Sequence, residues 1–528
     1  MLPALLAQGL LKIKDVYQLP PSDYYGLKSI VLTLAFMALA RIKNPEQTKQ
    51  CKPGELGRII GLDRIPEVRC LRKKIKLLSN QGKATELNNL LIDQWYNTDE
   101  TQQEAAFLYI DGHVRIYYGH KANLPAKYVS RQKLCLSATT EYWVNDAVGM
   151  PVMVVLGQLT EKLQIAIEES IIAQLQQTNL LNPPPVEQTS PQCTFVFDRE
   201  AYEPTFFQRL WDEHKIAIIT YRKNVKDKWD EDEFKSVDTN VLDQVITMHL
   251  CEKKITLSGY AFREVRRLSE DGHQTAIITT HPTLGIADIA GRMFGRWSQE
   301  NFFRYLIADY DFDKMIQFGT EVIDPKREVV NPIYRKTDQR LKKVREKKSR
   351  LEAKFYPLVE QAMDNSIDEL PALTDKQMQY KEMLDRHKEQ EAALVEQRKQ
   401  IPSRITLEQM PEQTRYNKLK TESKMLMNII KMISYRAESA VAAWVTPYFS
   451  RARKEKRMLI KQIISNNADL IPDYKNNTLT VVLHTLSTPR FNRAAYQLAK
   501  LLNETETIFP GTNLRLIFKT TALPVCER

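Results

Sequence analysis

The chain has 528 residues, 43% of them hydrophobic, and a formal net charge of +11 at pH 7. This hydrophobic fraction excludes an intrinsically disordered protein, and the length predicts two to four globular domains. The positive charge favours a polyanionic partner such as nucleic acid.

The cysteines and the apolar segments predict the compartment. The six cysteines are scattered without a CxxC pair, which argues against a zinc site or a disulfide framework and fits a reducing cytosol. No basic region precedes an apolar one at the start of the chain, so no signal peptide is predicted. The apolar run at residues 30–40 is shorter than the ~20 residues that span a bilayer and is predicted to be a buried helix. We therefore expect a cytoplasmic protein with no membrane partner.

Residues 1–100 are predicted to form a helical, DNA-binding domain. Residues 53–61 and 67–79 are two short helices around a turn, which is typical of a helix-turn-helix. A helical hairpin with a solvated basic face explains the pattern equally well, because no base-reading residue can be identified. The second helix carries a cluster of basic residues that are candidate DNA contacts: Arg69, Arg72, Lys73, Lys74 and Lys76.

Residues 101–330 are predicted to form a core around a mixed sheet. Strands at 107–111, 134–143 and 151–156 form a meander, and an amphipathic helix follows at 161–177. A β-α-β unit then covers residues 194–221.

Three acidic residues in this core stand beside apolar runs. Asp111 follows Phe-Leu-Tyr-Ile and Asp198 follows Thr-Phe-Val-Phe, so both are predicted at the C-terminal ends of buried strands. Glu300 is polar within a helix whose aromatic residues recur at helical spacing. Two strand aspartates and a helix glutamate can converge on a pair of magnesium ions ~3.5–4 Å apart, which is a site for phosphoryl transfer. The three acids are therefore the predicted catalytic residues and metal ligands.

This constellation resembles the DDE transposases of bacterial insertion sequences, whose catalytic core has an RNase H-like fold. The resemblance covers about residues 105–320 and includes a β-rich insertion, roughly residues 225–280, before the helix with the glutamate. Residues 292–300 are similar to the segment that enters the third catalytic helix of that family. In the signature of that helix, the Arg and Glu positions match as Arg296 and Glu300, whereas the Tyr and Lys positions hold Met293 and Ile307.

The resemblance implies an activity, a cofactor and partners. The activity is cleavage and strand transfer of DNA with two Mg²⁺ (or Mn²⁺) ions. The partners are double-stranded DNA, as element ends and as target, and a second copy of the chain in an active homodimer. The compartment is the bacterial cytoplasm, with the protein associated with the nucleoid when it acts.

Other polar residues of the core have two possible roles each. Arg296 either contacts phosphate or forms an ion pair, and His113 is either near the metals or an ordinary hydrogen-bonded strand residue. Further candidate phosphate contacts beside the core are Arg199, Arg222 and Lys223. Acids that compete with the three for a metal are Asp146, Asp212, Asp309, Asp311 and Asp313.

The C-terminal half is predicted to be helical and then α/β. In residues 331–460, two apolar patterns at 341–358 and 416–433 predict an antiparallel helical hairpin, or coiled coil. The basic stretches 340–354 and 451–457 are candidate phosphate contacts. Residues 461–528 are predicted to form a small unit with strands at 478–484 and 513–518 around a helix at 490–502.

The predicted fold class is therefore α/β (α+β), an RNase H-like core flanked by these helical and α/β segments. The leading hypothesis for function is a transposase. A repurposed or inactive relative that binds or cuts DNA without rejoining it is the first alternative. A coiled-coil scaffolding protein is the second, although the apolar repeats are short and interrupted.

Overall fold

The computed structural model describes residues 1–21, 24–129, 132–157, 162–184, 187–241, 244–310, 319–364, 370–449 and 453–521. Within helices, the side chains of residues 297–301, 358, 360–364, 370–374, 376 and 453–454 lie outside this description. The described part is a mixed α/β structure with one large mixed sheet, which confirms the predicted class.

The N-terminal segment is helical. Its apolar run forms α3, in which Ile30, Val31 and Leu34 are buried, and in α5 the apolar residues Leu71 and Leu78 lie on the inward face. The helices are α1 (Leu2–Ala7), α2 (Ile13–Val16), α3 (Leu27–Leu39), α4 (Pro53–Ile59), α5 (Val68–Ser79), α6 (Ala84–Trp95) and α7 (Asp99–Ala105). Their buried residues belong to the same hydrophobic cluster as one face of the sheet, so helices and sheet share a core.

The large sheet has the strand order β2-β3-β1-β5-β6-β10-β9-β8-β7, and β4 also pairs with β3. Its strands are β1 (Phe107–Ile116), β2 (Ala126–Val129), β3 (Leu134–Asn145), β4 (Pro151–Gly157), β5 (Cys193–Phe197), β6 (Ile216–Tyr221), β7 (Lys235–Val241), β8 (Gln244–Leu257), β9 (Tyr260–Leu268) and β10 (Gln274–Thr279). The central pairs β1–β5 and β5–β6 are parallel, and the other pairs are antiparallel. The β-structure predicted for residues 225–280 thus consists of four strands that extend the same sheet beyond β6.

Helices cover both faces of the sheet. On one face, Phe206 and Phe207 pack into the main hydrophobic cluster. On the other face, Tyr109 and Val196 of the central strands pack against Ile289 of α11. The helices of this region are α8 (Leu163–Ala166), which continues through a π-helical turn (Ile167–Ile172) into α9 (Ala173–Leu175), and α10 (Pro204–His214), α11 (Ile286–Phe294) and α12 (Trp297–Tyr310).

A glycine allows α11 to lie close to the strand extension. A Cβ atom on Gly291 would come within 2.6 Å of the backbone oxygen of Asn240 and 3.1 Å of Cγ2 of Thr239. Because the nearest atom belongs to the backbone of β7, a rotamer change cannot relieve this contact. Gly291 therefore sets the distance between α11 and the sheet.

We expect Gly291→Ala to lower the free energy of unfolding by about 1–3 kcal/mol, because the added methyl group overpacks this contact. Urea denaturation followed by circular dichroism measures the change. Gly285→Ala is the matched control, since its nearest neighbour is Oδ2 of Asp288 at 3.5 Å, and it should change stability by no more than about 0.5 kcal/mol. Equal stability of the two variants would show that β7 can shift to accommodate the added methyl group.

Two long antiparallel helices form the hairpin that we call the arm. The ion pairs Arg345–Glu391 and Asp338–Arg398 join the start of α13 to the end of α14. The elements of this region are β11 (Thr320–Glu321), β12 (Glu328–Val330), α13 (Pro332–Asp364), α14 (Leu370–Gln400), β13 (Arg404–Thr406) and β14 (Lys418–Leu419). The prediction that residues 341–358 pair with 416–433 is therefore wrong, because the partner of the first run is α14.

The second apolar run lies in α15 (Glu422–Val445), a helix of the main core, from residue 422 onward, and its first residues precede that helix. It contacts α1, α3, α5 and α6 as well as β4, and its residues from Ser423 to Ser439 are buried. A helix that is buried on all sides has no free face for a hairpin partner.

The C-terminal unit follows α16 (Arg453–Ser465). The predicted strand, helix and strand are present as β16 (Thr478–Leu483), α17 (Pro489–Glu504) and β17 (Arg515–Thr520). An additional strand, β15 (Ala468–Asp473), pairs with β16 to complete the order β15-β16-β17. In the parts of the chain described above, no helix has both the length and the apolar character needed to cross a membrane.

Candidate active site

Two aspartates lie side by side where the parallel strands β1 and β5 separate. The last residues that pair between these strands are Ile110 and Phe197, so Asp111 and Asp198 occupy the next position of the register. Neighbouring strands lie ≈4.7–4.9 Å apart, and residues in register face the same side of the sheet. Asp198 directly follows β5 as predicted, whereas β1 continues to Ile116, paired with β3. Asp111 is therefore at the end of the parallel pairing rather than at the end of its strand.

Arg296 lies between the two carboxylates. Its guanidinium is 3.8 Å from Oδ1 of Asp111 and 3.6 Å from Oδ2 of Asp198. The Arg296 side chain is 14% exposed, against 26% for Asp111 and 49% for Asp198. The connection between α11 and α12 carries this arginine. The two acids thus converge on a single positive charge at an accessible point of the sheet.

Helix α12 covers β1 and β3 beside the acids. Phe303 stacks on His113 with ring centroids 5.8 Å apart, and Phe302 packs against Trp143, the cross-strand neighbour of Asp111. His113 therefore lies near the acids, in an aromatic contact with α12. The backbone of Glu300 lies within α12, and its side chain lies outside the described part of the structure.

A further carboxylate, which the sequence did not indicate, lies near the pair. A Cβ atom on Gly112 would come within 3.2 Å of Oε2 of Glu200. Desolvation of this carboxyl raises the pKa of Glu200, and the negative charge of Asp111 adds to the shift. Glu200 follows Asp198 by two residues, in a short 3₁₀ turn, and neither its spacing nor its neighbours distinguish it in the sequence.

The candidate phosphate contacts that follow β5 and β6 differ in whether they are free to bind DNA. Arg199 is exposed, with its guanidinium 5.5 Å from the ring centroid of Tyr221, and Lys223 lies 5.7 Å from that of Tyr202. Arg222 instead forms an ion pair at 2.5 Å with the fully buried Glu264. The position of Arg222 therefore does not support the prediction that it contacts phosphate, because Glu264 of β9 already neutralises its charge.

The basic residues predicted on α5 also divide into exposed residues and a buried one. Arg69, Arg72, Lys73 and Lys76 of α5 are exposed, and Arg72 forms an ion pair with Glu46. Lys74 is 3% exposed and faces the core, so it is not part of the exposed basic face.

The competing acids within the described residues have structural contacts. Asp146 is fully buried and accepts hydrogen bonds from the Tyr96 hydroxyl and from two backbone N–H groups of its own turn. Asp212 accepts one from Gln208 on the surface of α10, and Asp309 pairs with Arg41 and Lys461. Asp311 and Asp313 lie outside the described residues.

The donor chemistry of the pair fits a hard divalent cation. Carboxylate oxygens are the ligands that Mg²⁺ prefers, and it needs only one or two carboxylates because it retains several waters. Asp111 and Asp198 supply two such groups, and both already face a positive charge. Among the described side chains, no three acidic, histidine or cysteine residues are close enough together to form a metal site.

A family model described as "Transposase protein" matches residues 1–522. No curated protein and no solved structure matches the chain.

Proposed function

Because the chain belongs to the transposase family whose model spans it, we propose that it cuts and rejoins DNA with divalent metal ions held by Asp111, Asp198 and Glu300. The observation that carries the proposal is the convergence of Asp111 and Asp198 on Arg296 at the end of two parallel strands. The proposed substrate is the double-stranded DNA of an insertion sequence and its target, and the proposed active form is a homodimer.

The topology supports an RNase H-like core of the DDE type. The antiparallel strands β1, β3 and β4 come first, a helical segment follows, and β5, α10 and β6 then add parallel strands beside β1. This is the order of elements expected for an RNase H-like sheet. Strands β7 to β10 occupy the place of a β-rich insertion before the helix that carries Glu300.

The position of Glu300 along α12 supports its inclusion. Residues three apart on a helix are neighbours on its surface, and Glu300 precedes Phe303 by three residues. Phe303 stacks on His113, which is two residues after Asp111 on the same side of β1. The spacing along α12 therefore supports a position for residue 300 close to the two aspartates.

Each residue has a defined task in the proposed reaction. The three carboxylates hold Mg²⁺ (or Mn²⁺). When bound, the ions supply charge stabilisation for the attacking and leaving oxygens of a phosphodiester. Arg296 orients the scissile phosphate, because its guanidinium lies at the acids and can donate two parallel hydrogen bonds to phosphate oxygens. Arg199 and Lys223 add positive charge beside Arg296 and bind the neighbouring phosphates.

Cleavage of its own flanking DNA tests the proposal. The purified chain is incubated with a plasmid that carries the coding region and its natural flanks, in Mg²⁺, in Mn²⁺, and in chelator. We expect metal-dependent breaks at fixed positions in the flanks and joining of the 3′ ends to a second plasmid. Tight DNA binding without breaks in either metal would instead support a repurposed DNA-binding protein.

Arg296 gives a prediction about metal affinity. Its positive charge lies between the proposed ligands and opposes a cation there, so Arg296→Gln should tighten Mn²⁺ binding while it slows cleavage at saturating metal. Calorimetric titration with Mn²⁺ measures the first effect, and single-turnover cleavage measures the second. Arg199→Gln is the control, because Arg199 is nearby but not between the carboxylates. Weaker Mn²⁺ binding by Arg296→Gln would mean that the arginine organises the site rather than competing for it.

The exposed basic face of α5 gives a prediction about DNA affinity. Arg69, Arg72, Lys73 and Lys76 replaced together by glutamine should weaken DNA binding and flatten its salt dependence, by up to about 0.9 in slope per phosphate contact. Fluorescence anisotropy over a range of salt concentrations measures both quantities. An unchanged slope with lost sequence preference would mean that α5 reads bases. No change in either would leave α5 as a solvated packing helix.

A further inference from the structure

One side of α13 carries an uninterrupted row of exposed basic residues, which we call the stripe. Successive members are separated by four, three, four, three and four residues, a spacing that places them on one face of a helix. The stripe comprises Lys336, Arg340, Lys343, Lys347, Arg350 and Lys354, and all of them are exposed. The packing residues Leu341, Val344 and Leu351 follow a separate row toward α14.

The stripe differs from the basic residues on the other helix of the arm. On α14, the exposed Arg386, Lys388 and Lys399 each form an ion pair with an acid three or four residues away on the same helix. In the described structure, by contrast, none of the ion pairs involves a stripe residue. The stripe residues are therefore not held in ion pairs within the described part of the arm. The exposed Glu346 borders the stripe, three residues after Lys343 and four before Arg350, so one acid lies beside six basic residues.

The base of the arm contacts the end of β1, the strand that carries Asp111. Tyr117 directly follows β1 and packs with Leu124 and with Leu419 at the base of the arm. Asn123 also hydrogen-bonds to Asn417 and to the carbonyl oxygens of Thr414 and Arg415. Tyr117 is six residues after Asp111 along an extended strand, so the base is within about 20 Å of the acids.

The length of the stripe matches a segment of duplex DNA. Lys354 is eighteen residues after Lys336, a separation of about 27 Å along an α-helix, which is the length of about 8 base pairs at 3.4 Å each. The helix is held against α14 by Glu391, which binds both Arg345 and Lys348. A preformed row of cations of this length can meet several phosphates without first ordering a flexible segment.

From these observations we propose that the stripe of α13 binds the phosphate backbone of the duplex that leaves the active site, over about 8 base pairs. The inference rests on the proposed function for the identity of the polyanion. Recognition is through charge and is independent of sequence, because lysine and arginine at this spacing contact phosphates rather than base edges. A helical partner or a second copy packed on this face would bury several like charges, which argues against either as the occupant.

A pair of charge-matched variants tests the inference in the full-length chain. Arg340, Lys343, Lys347 and Arg350 are changed to glutamine, which preserves helix propensity. The control changes Lys381, Arg386, Lys388 and Lys399 of α14, also to glutamine. Affinity for a 40-base-pair duplex from the element flank is measured by fluorescence anisotropy at several salt concentrations, and circular dichroism verifies that both variants retain the helical content of the wild type.

We expect the α13 variant to bind at least about tenfold more weakly at low salt and to reduce the slope of log K against log salt by up to about 3.6. The α14 variant should retain the wild-type slope. Equal slopes for the wild type and both variants would overturn the inference, as would loss of self-association in the ultracentrifuge with an unchanged slope. Metal-dependent cleavage at saturating protein should persist in the α13 variant, so failure of this binding site is distinguishable from failure of the proposed catalysis.

Discussion

Replacing Asp111 or Asp198 with asparagine is expected to reduce magnesium-dependent strand cleavage by about 10³-fold or more. Each change removes a negative charge from the pair and preserves the size and shape of the side chain. Stabilisation of developing charge by a bound metal is worth several kcal/mol, and each 1.36 kcal/mol corresponds to a factor of ten in rate. Single-turnover cleavage of labelled flank DNA measures the rate, and anisotropy shows whether DNA binding persists.

The matched control is Asp212→Asn. Asp212 lies on the surface of α10, where Gln208 donates a hydrogen bond to it, and its loss should leave the cleavage rate within about twofold. Both active-site variants should also unfold at a urea concentration close to that of the wild type, since both side chains are partly exposed. Near wild-type cleavage by either variant would remove that aspartate from the site.

The aspartate pair could be predicted because its determinants are local. An apolar run that ends in an acid indicates a buried strand that delivers a carboxylate, and both Tyr109 and Val196, two residues before each acid, are buried. The sequence could not give the register, since that depends on contacts between distant segments. The sequence also did not show that β1 continues past Asp111 to Ile116. Residues 111–114 are all half-buried, so they lack the alternation of buried and exposed side chains that marks a strand.

The partner of α13 could not be predicted from the apolar repeat. Residues 341–358 and 416–433 share the same alternation of three and four, and this pattern favours helix packing without specifying which helix. In the structure, α13 pairs with α14, the next helix along the chain, and α15 packs against the N-terminal helices. Antiparallel neighbours joined by a short connection are the common arrangement.

Charge alone did not distinguish binding residues from structural ones. Arg222 and Arg457 belong to basic segments of the sequence, yet Arg222 pairs with the buried Glu264 and Arg457 with the buried Glu438. A buried acid distant in the sequence, Glu264 on β9 or Glu438 on α15, determines each of these roles, and no local pattern reveals it. Arg296 is the opposite case, since the family signature identified it, and only the folded geometry places it between two carboxylates.

Glu438 is the centre of a buried network that holds the end of α12. Its side chain is fully buried, and the hydroxyl groups of Tyr305 and Tyr310 donate to its two oxygens at 2.5 Å. The guanidinium groups of Arg41 and Arg457 lie at 3.0 and 3.3 Å from the same carboxylate. The network therefore connects α12, which carries position 300, with the segment that follows α3 and with helices α15 and α16.

We expect Glu438→Gln to lower the free energy of unfolding by about 3–5 kcal/mol, because it leaves the buried Arg457 without its counter-charge and leaves Arg41 with only the partly exposed Asp309. Glutamine has the shape of glutamate, so the effect reports charge rather than a cavity. Urea denaturation measures the stability. At temperatures where the variant remains folded, single-turnover cleavage should be slower, because α12 loses the contacts that fix its C-terminal end.

Asp309→Asn is the matched control for Glu438→Gln, because it removes a partly exposed charge beside the network and leaves the buried charge of Glu438 in place. Asp309 pairs with Arg41 and Lys461, but its side chain is 21% exposed, so water can replace part of the interaction. We expect this variant to lose no more than about 1 kcal/mol and to cleave at the wild-type rate. If Glu438→Gln were as stable as Asp309→Asn, the arginines would have found other partners or water. The C-terminal end of α12 would then be held by the aromatic packing of Tyr305 and Phe302 on Tyr435.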